Sequence, residues 1–187
     1  MSRHVGEWQL EKYGPLLRLQ ARKMELDLRL RRRFDSSDLV QETLLKAHEG
    51  LAHFKGATEA ELVKWLQEIL GNVVADEVRK ARAQKRDVAL EKSLDDVVAG
   101  SSAQLNEYLI AGGPSPSEQA ERQEQLLRLA VAIGQLPCDQ RDVIIYRDLL
   151  GTPVREIAEN LERTEKSVAG LLLRGRRRLR ELLEDDG

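Results

Sequence analysis

Two stretches of this chain carry side chains suited to nucleic acid. From Arg163 to Arg180 there are seven basic residues and one acid, Glu165. A basic stripe along a helix suits phosphate contacts, which position a protein on DNA without reading its sequence. The first residues of that stretch are Arg163, Thr164, Glu165, Lys166 and Ser167. They mix donors and acceptors at what should be a helix N-terminus, the end that enters the major groove in helix-turn-helix proteins. Glu165 could accept from a cytosine amino group or simply favour the positive end of the helix. The second stretch, Arg79 to Arg86, has five positive charges in eight residues: Arg79, Lys80, Arg82, Lys85 and Arg86. A solvated amphipathic face is the plain alternative for either stretch. In the first, spacing, a small residue, a cap and the basic run coincide, and this favours DNA.

The elements that must hold these groups read as helices. Apolar residues recur at three-four spacing, and no run alternates with period two. An N-terminal stretch from Trp8 to Arg33 is divided at Gly14-Pro15. Asp35-Ser36-Ser37-Asp38 is a helix start, because short oxygen-bearing side chains accept the free N–H groups of a first turn. The helix that follows should reach about Gly50, with Leu39, Leu44, Leu45 and Leu51 inward. Thr58 and Glu61 form a capping box before a long helix. Its buried stripe is expected to hold Leu62, Trp65, Leu66, Ile69, Leu70, Val73, Val74 and Val78. Residues 87–114 carry five acids against Lys92, with glycine-rich breakers, and read as a flexible linker with one short helix near Gln104 to Ile110.

Ser115-Pro116-Ser117-Glu118 restarts helical structure to about Gln135. Leu136-Pro137 breaks it, and a helix from Cys138 to Leu150 is closed by Gly151. A short helix to Asn160 buries Ile157, Ala158 and Leu161. Four residues on, Thr164 caps a last helix, whose Val168, Leu171, Leu172 and Leu179 pack back. The expected fold is all-α: two small helical domains, 1–86 and 115–187, joined by the flexible acidic linker 87–114.

Composition narrows the class. Thirty basic residues face thirty-two acidic ones, so only the distribution of charge is informative. One cysteine, Cys138, excludes a disulfide framework and a Cys-rich zinc site, and fits a reducing cytosol. The N-terminus lacks the apolar stretch of a secretory signal, and no run has the length of a membrane span. The three histidines, His4, His48 and His53, form no HExxH motif, and there is no phosphate loop or Cys–His pair. No catalytic group, metal or cofactor is expected.

The whole pattern resembles a bacterial sigma factor of the extracytoplasmic-function group, within the sigma-70 family. The run Asp35-Ser-Ser-Asp-Leu-Val-Gln-Glu-Thr is similar to the start of region 2.2. Trp65-Leu66, Asn72, Asp76 and Arg79 are similar to regions 2.3 and 2.4. Leu136-Pro137, Gln140-Arg141, Glu156-Ile157-Ala158, Leu161, Val168 and Arg174-Gly175-Arg176 are similar to region 4. The resemblance implies a protein that binds core RNA polymerase and directs it to promoter DNA.

It assigns Asp38, Leu39, Gln41, Glu42 and Leu45 to the clamp helices of the largest polymerase subunit. By themselves, Asp38 and Gln41 read as a cap and a solvated face. It assigns Asn72, Asp76, Arg79, Lys80, Arg82 and Arg86 to the melted minus-ten strand, with Asn72 where the family pockets an extruded base. Trp65 could stack on a base, but its place in the apolar stripe favours packing. Arg163, Thr164, Glu165, Lys166, Ser167, Arg174, Arg176 and Arg177 are assigned to the minus-thirty-five element. An anti-sigma factor is a further partner the family suggests.

Two departures stand out. Glu162 occupies a turn where the family often has glycine, so either it adopts a strained left-handed conformation or the turn differs slightly. Ala169, Gly170 and Leu171 replace basic or polar residues in the middle of the reading helix. The competing reading is a helix-turn-helix regulator with an N-terminal partner-binding domain and no polymerase role. That reading leaves the Asp-Leu-Val-Gln-Glu helix unexplained.

Overall fold

A computed structural model describes residues 8–27, 35–83 and 116–185, all of them in helices, turns or short connections. The acidic segment 87–114 and Arg86 lie outside the described residues, as does the chain around Arg31-Arg32-Arg33. The described residues fall into two compact units, divided between Leu127 and Arg128.

Unit 1 opens with a 3-10 turn, Leu10–Tyr13, that runs directly into α1, Gly14–Asp27. Helix α2 is Ser36–Gly50 and, after a 3-10 turn at Leu51–His53, α3 is Glu59–Ala83. The three helices pack against one another pairwise. Their core takes Leu16, Leu17 and Met24 from α1, Leu39, Val40 and Ala47 from α2, and Leu62, Leu66, Leu70 and Val73 from α3. Each fully buried aliphatic side chain contributes about 1.5–3 kcal/mol relative to exposure.

Local chemistry sets the ends. The Asp35 carboxylate accepts from the Ser37 N–H at 2.8 Å, which caps α2. The Thr58 hydroxyl accepts from the Glu61 N–H at 3.2 Å, and the Glu61 carboxylate accepts from the N–H groups of Ala57 at 2.8 Å and Thr58 at 3.0 Å. These bonds, the one from Ala57 first, hold the Glu61 carboxyl below the ordinary glutamate range. The 3-10 turn is tied down by Lys12 to Glu59 at 2.7 Å and by Glu11 to His48 at 2.9 Å.

Trp65 and Ile69 are half-buried rather than fully in the α3 stripe. Trp65 stacks on Phe54 with ring centroids 4.9 Å apart, and Trp8 meets the Phe54 ring edge-on at 6.2 Å. Packing, not base stacking, therefore occupies one face of Trp65.

Helix α2 corrects one expectation. Leu45 is not inward; it is 59% exposed. The buried positions are Leu39, Val40, Thr43 and Ala47, which share one side of the helix, and Leu45 projects from the opposite side. Thr43 can be inward because its hydroxyl donates to the Leu39 carbonyl at 2.7 Å.

In unit 2, α4 (Pro116–Gly134) crosses the division and contributes Ala130, Ala132 and Ile133 as buried residues. Helix α5, Cys138–Ile144, is followed by a π turn, Ile145–Leu149. Helix α6 is Val154–Asn160 and α7 is Glu165–Asp185. The single helix expected from Cys138 to Leu150 thus changes form at Ile145, where the Leu150 N–H donates to the Ile145 carbonyl at 2.9 Å, five residues back. Val143, Ile144, Ile145 and Tyr146 are all buried, and four consecutive large residues cannot share one side of an α-helix while it keeps a solvent face. Gly151 ends the turn with φ 70°, as a left-handed cap requires.

Helix α7 packs on α5 and α6 through Val168, Leu171 and Leu172. Gly175 marks the closest approach to α5: an added Cβ would lie 2.9 Å from Ile144 Cδ1 and 3.3 Å from Gln140 Cβ.

Candidate nucleic-acid interface

On α2 the residues assigned to polymerase separate by face. Asp38, Gln41 and Leu45 are exposed and Glu42 is half-buried, all on the side away from the core. Leu39 is 3% exposed and packs inside unit 1, so its side chain supports this face from beneath and does not present itself to a partner. An exposed leucine among an amide and two carboxylates is the usual make-up of a contact surface: an apolar anchor with a polar rim.

On α3, Asn72, Asp76 and Arg79 recur at i, i+4 and i+7 and so project from one side of the helix. Asn72, Arg79 and Lys80 are exposed and Asp76 is half-buried. The cations are not isolated. Arg79 donates to Asp76 Oδ1 at 2.5 Å, and Lys80 donates to Glu77 Oε1 at 2.6 Å. Lys46 of α2 reaches across to Asp76 Oδ2 at 3.8 Å while holding Glu42 Oε1 at 2.9 Å. Sequence reading assigned no role to Lys46 or Glu77. The Glu42-to-Lys46 spacing of four residues was its only signal. Arg82 lies within α3, and Arg86 lies outside the described residues.

In unit 2 the turn between α6 and α7 closes by two backbone bonds. The Arg163 N–H donates to the Ala158 carbonyl at 2.9 Å and the Glu162 N–H to the Glu159 carbonyl at 3.2 Å. This is a Schellman cap, and its left-handed position is Glu162, with φ 53°. Of the two outcomes the sequence allows at Glu162, the left-handed one is present. A non-glycine residue there costs about 1–2 kcal/mol, whereas glycine costs about 0.4–1 kcal/mol through the unfolded chain. Glu162→Gly should therefore stabilise unit 2 by about 0.5–1 kcal/mol, read as a higher midpoint in thermal melting; a lower midpoint would contradict this account.

Thr164 caps α7 by accepting from the Ser167 N–H at 3.2 Å. Glu165 and Lys166 are exposed beside it, and Leu173, two turns on, is 75% exposed. The arginines divide. Arg163 donates to Asp139 at 2.6 Å, and Arg176 grips both oxygens of Asp148 at 3.1 and 2.5 Å. Arg178 pairs with Glu181 at 3.1 Å, and Arg177 lies 3.9 Å from the same carboxylate. Lys166, Arg174 and Arg180 have no acid partner among the described residues. The π turn aims Asp148 at α7, which sequence periodicity could not indicate.

Among the described residues, no group of three or more His, Cys, Asp or Glu side chains could hold a metal ion, and no helix is long and apolar enough to cross a membrane. Residues 10–84 match the family described as Sigma-70 region 2, and residues 126–179 match Sigma-70, region 4. The chain belongs to the sigma-70 family, in its extracytoplasmic-function group. The region 2 match spans α1 to α3, and the region 4 match spans α5 to α7 with the end of α4.

Curated sigma-70 relatives agree. ECF RNA polymerase sigma factor SigM of Mycobacterium tuberculosis is 28% identical over 151 residues, covering 80% of this chain and 64% of SigM. RNA polymerase sigma factor CnrH of Cupriavidus metallidurans is 29% identical over 152 residues, covering 81% of this chain and 75% of CnrH. ECF RNA polymerase sigma factor SigX of Bacillus subtilis is 26% identical over 151 residues, covering 80% of this chain and 71% of SigX. The chain thus spans just under two-thirds of the length of SigM.

Proposed function

We propose that this chain is a sigma factor: it binds core RNA polymerase and directs it to promoters by engaging a minus-ten and a minus-thirty-five element. The observation that carries this is the order of sigma-70 region 2 and then region 4 on one chain. The outward face of α2 supports it. Asp38, Gln41, Glu42 and Leu45 together offer a polar-rimmed apolar contact to the clamp helices of the largest polymerase subunit. Asn72, Asp76, Arg79 and Lys80 lie where α3 would meet the melted strand. Glu165 and Lys166 at the α7 N-terminus would read base edges, with Arg174 and Arg177 on phosphates. Domain bounds of 1–86 and 115–187, joined by 87–114, follow the same reading. Tethering two weak readers raises the effective concentration of the second, and polymerase fixes their separation. Work at the polymerase places the chain in the cytoplasm, where an anti-sigma factor covering either face would silence it.

The test is transcription of genomic DNA from the source organism by core polymerase, with and without the protein, mapping RNA starts. New starts that share two upstream elements at fixed spacing are expected. Duplex binding without new starts would instead favour a regulator that does not use polymerase.

The pairing of the arginines sharpens one expectation. Arg177→Ala should lower the slope of log affinity against log salt by about 1, the share of one phosphate contact. Arg176→Ala should leave the slope nearly unchanged and instead destabilise unit 2 by about 1 kcal/mol or less, since its pair with Asp148 is half-exposed. Equal slopes for both variants would refute this division.

A further inference from the structure

Asp76 divides its two carboxylate oxygens between two cations. Oδ1 accepts from Arg79 at 2.5 Å, and Oδ2 faces Lys46 Nζ at 3.8 Å. The same Lys46 Nζ holds Glu42 Oε1 at 2.9 Å. A continuous line of charge therefore runs Glu42–Lys46–Asp76–Arg79, from the outward face of α2 to that of α3. Glu77 and Lys80 complete a cluster of three acids and three bases. Lys80 titrates above the ordinary lysine range chiefly through its bond to Glu77, with smaller contributions from Glu42 and Asp76, so the cluster is electrostatically connected.

We propose that Lys46 is a positioning residue: by bridging Glu42 and Asp76 it sets how tightly Asp76 retains Arg79, and so how readily Arg79 engages a DNA strand. This rests on the sigma-factor reading. Strand phosphates must compete with Asp76 for Arg79. A lysine directed at the other carboxylate oxygen weakens the hold of Asp76. Lys46 is shared, however, with Glu42, which belongs to the proposed polymerase face. When a polymerase cation engages Glu42, Lys46 loses one acid and turns to Asp76, and Arg79 is released to the strand. Linkage is reciprocal, so strand binding strengthens the hold on polymerase by the same factor.

Exposed ion pairs of this kind contribute about 0.2–1 kcal/mol, which corresponds to about 1.4- to 5-fold in affinity. The experiment uses the full chain assembled on core polymerase. The probe is duplex DNA carrying a mismatched bubble over the minus-ten element of a promoter mapped by transcription. Lys46→Gln should weaken bubble binding by about two- to five-fold, while affinity for core polymerase is unchanged or rises and the melting midpoint of unit 1 stays put. Lys46→Arg should restore bubble binding. In an Asp76→Asn background, Lys46→Gln should have no further effect, a non-additivity that a purely structural role would not produce. Undiminished bubble binding by Lys46→Gln overturns the proposal, as does a loss of the same size in the Asp76→Asn background. Failure of the wild-type chain to bind core polymerase would overturn the sigma-factor reading, and this inference with it.

Discussion

Gly175→Val is expected to destabilise unit 2 by about 1–3 kcal/mol, the cost of forcing branched carbons into a packed helix crossing. The reason is local. A Cβ at this position would lie 2.9 Å from Ile144 Cδ1 and 3.3 Å from Gln140 Cβ. Ile144 is buried, so its side chain has little room to rotate away. Valine adds two more carbons at the same crossing. The helix α5 supports α7 from beneath, so the exposed residues of the reading end should lose their presentation as the crossing opens. Calorimetry should show the transition of unit 2 moving down while that of unit 1 stays. Duplex binding should fall as the melting of unit 2 approaches the assay temperature. Gly175→Ala should be milder, because its single carbon displaces Ile144 Cδ1 and presses only slightly on Gln140 Cβ, and alanine regains about 1 kcal/mol of helix propensity. An unchanged transition for the valine variant would mean that the crossing is looser than 2.9 Å implies.

The second large effect concerns binding alone. Leu45→Glu should cost about 2 kcal/mol or more in affinity for core polymerase, roughly 30-fold, the size of an anchor residue at an interface centre. Leu45 is 59% exposed on the side of α2 away from Leu39, Val40, Thr43 and Ala47. Leu45 is not among the buried core residues, so circular dichroism and the melting midpoint should be nearly unchanged. A folded variant with full polymerase affinity would exclude this face of α2 from the interface. A variant that melts early would show that Leu45 contributes to packing after all.

Much of the framework was legible from local signals. The Asp35 cap, the Thr58–Glu61 capping box, the Gly151 cap and the left-handed Glu162 each depend on residues within a few positions of one another, and each is in place. The outward place of Leu45 was not legible because Leu39, Leu44 and Leu45 of α2, with Leu51 just beyond it, allow more than one apolar stripe to be drawn. Thr43 and Ala47, less apolar by type, take the inward positions instead. The basic runs of the site were visible, but their partners were not. Asp139 lies 24 residues from Arg163, and Asp148 lies 28 residues from Arg176. Such pairs depend on how α5 and the π turn cross α7, which no periodicity encodes. Lys46 was overlooked for the same reason, since its second acid is on another helix.

The chain has two tryptophans, Trp8 and Trp65, and both flank Phe54 in unit 1. Indole emission is therefore a built-in optical reporter of unit 1 alone. In a denaturant titration it would follow the release of Trp65 from the Phe54 ring and would be silent while unit 2, whose buried aromatic is Tyr146, unfolded. A single smooth fluorescence transition would then be no evidence that the two units melt together. A tryptophan placed by mutation at Tyr146 would give unit 2 a signal of its own, and the difference between the two emission curves would measure directly how far the units unfold as one.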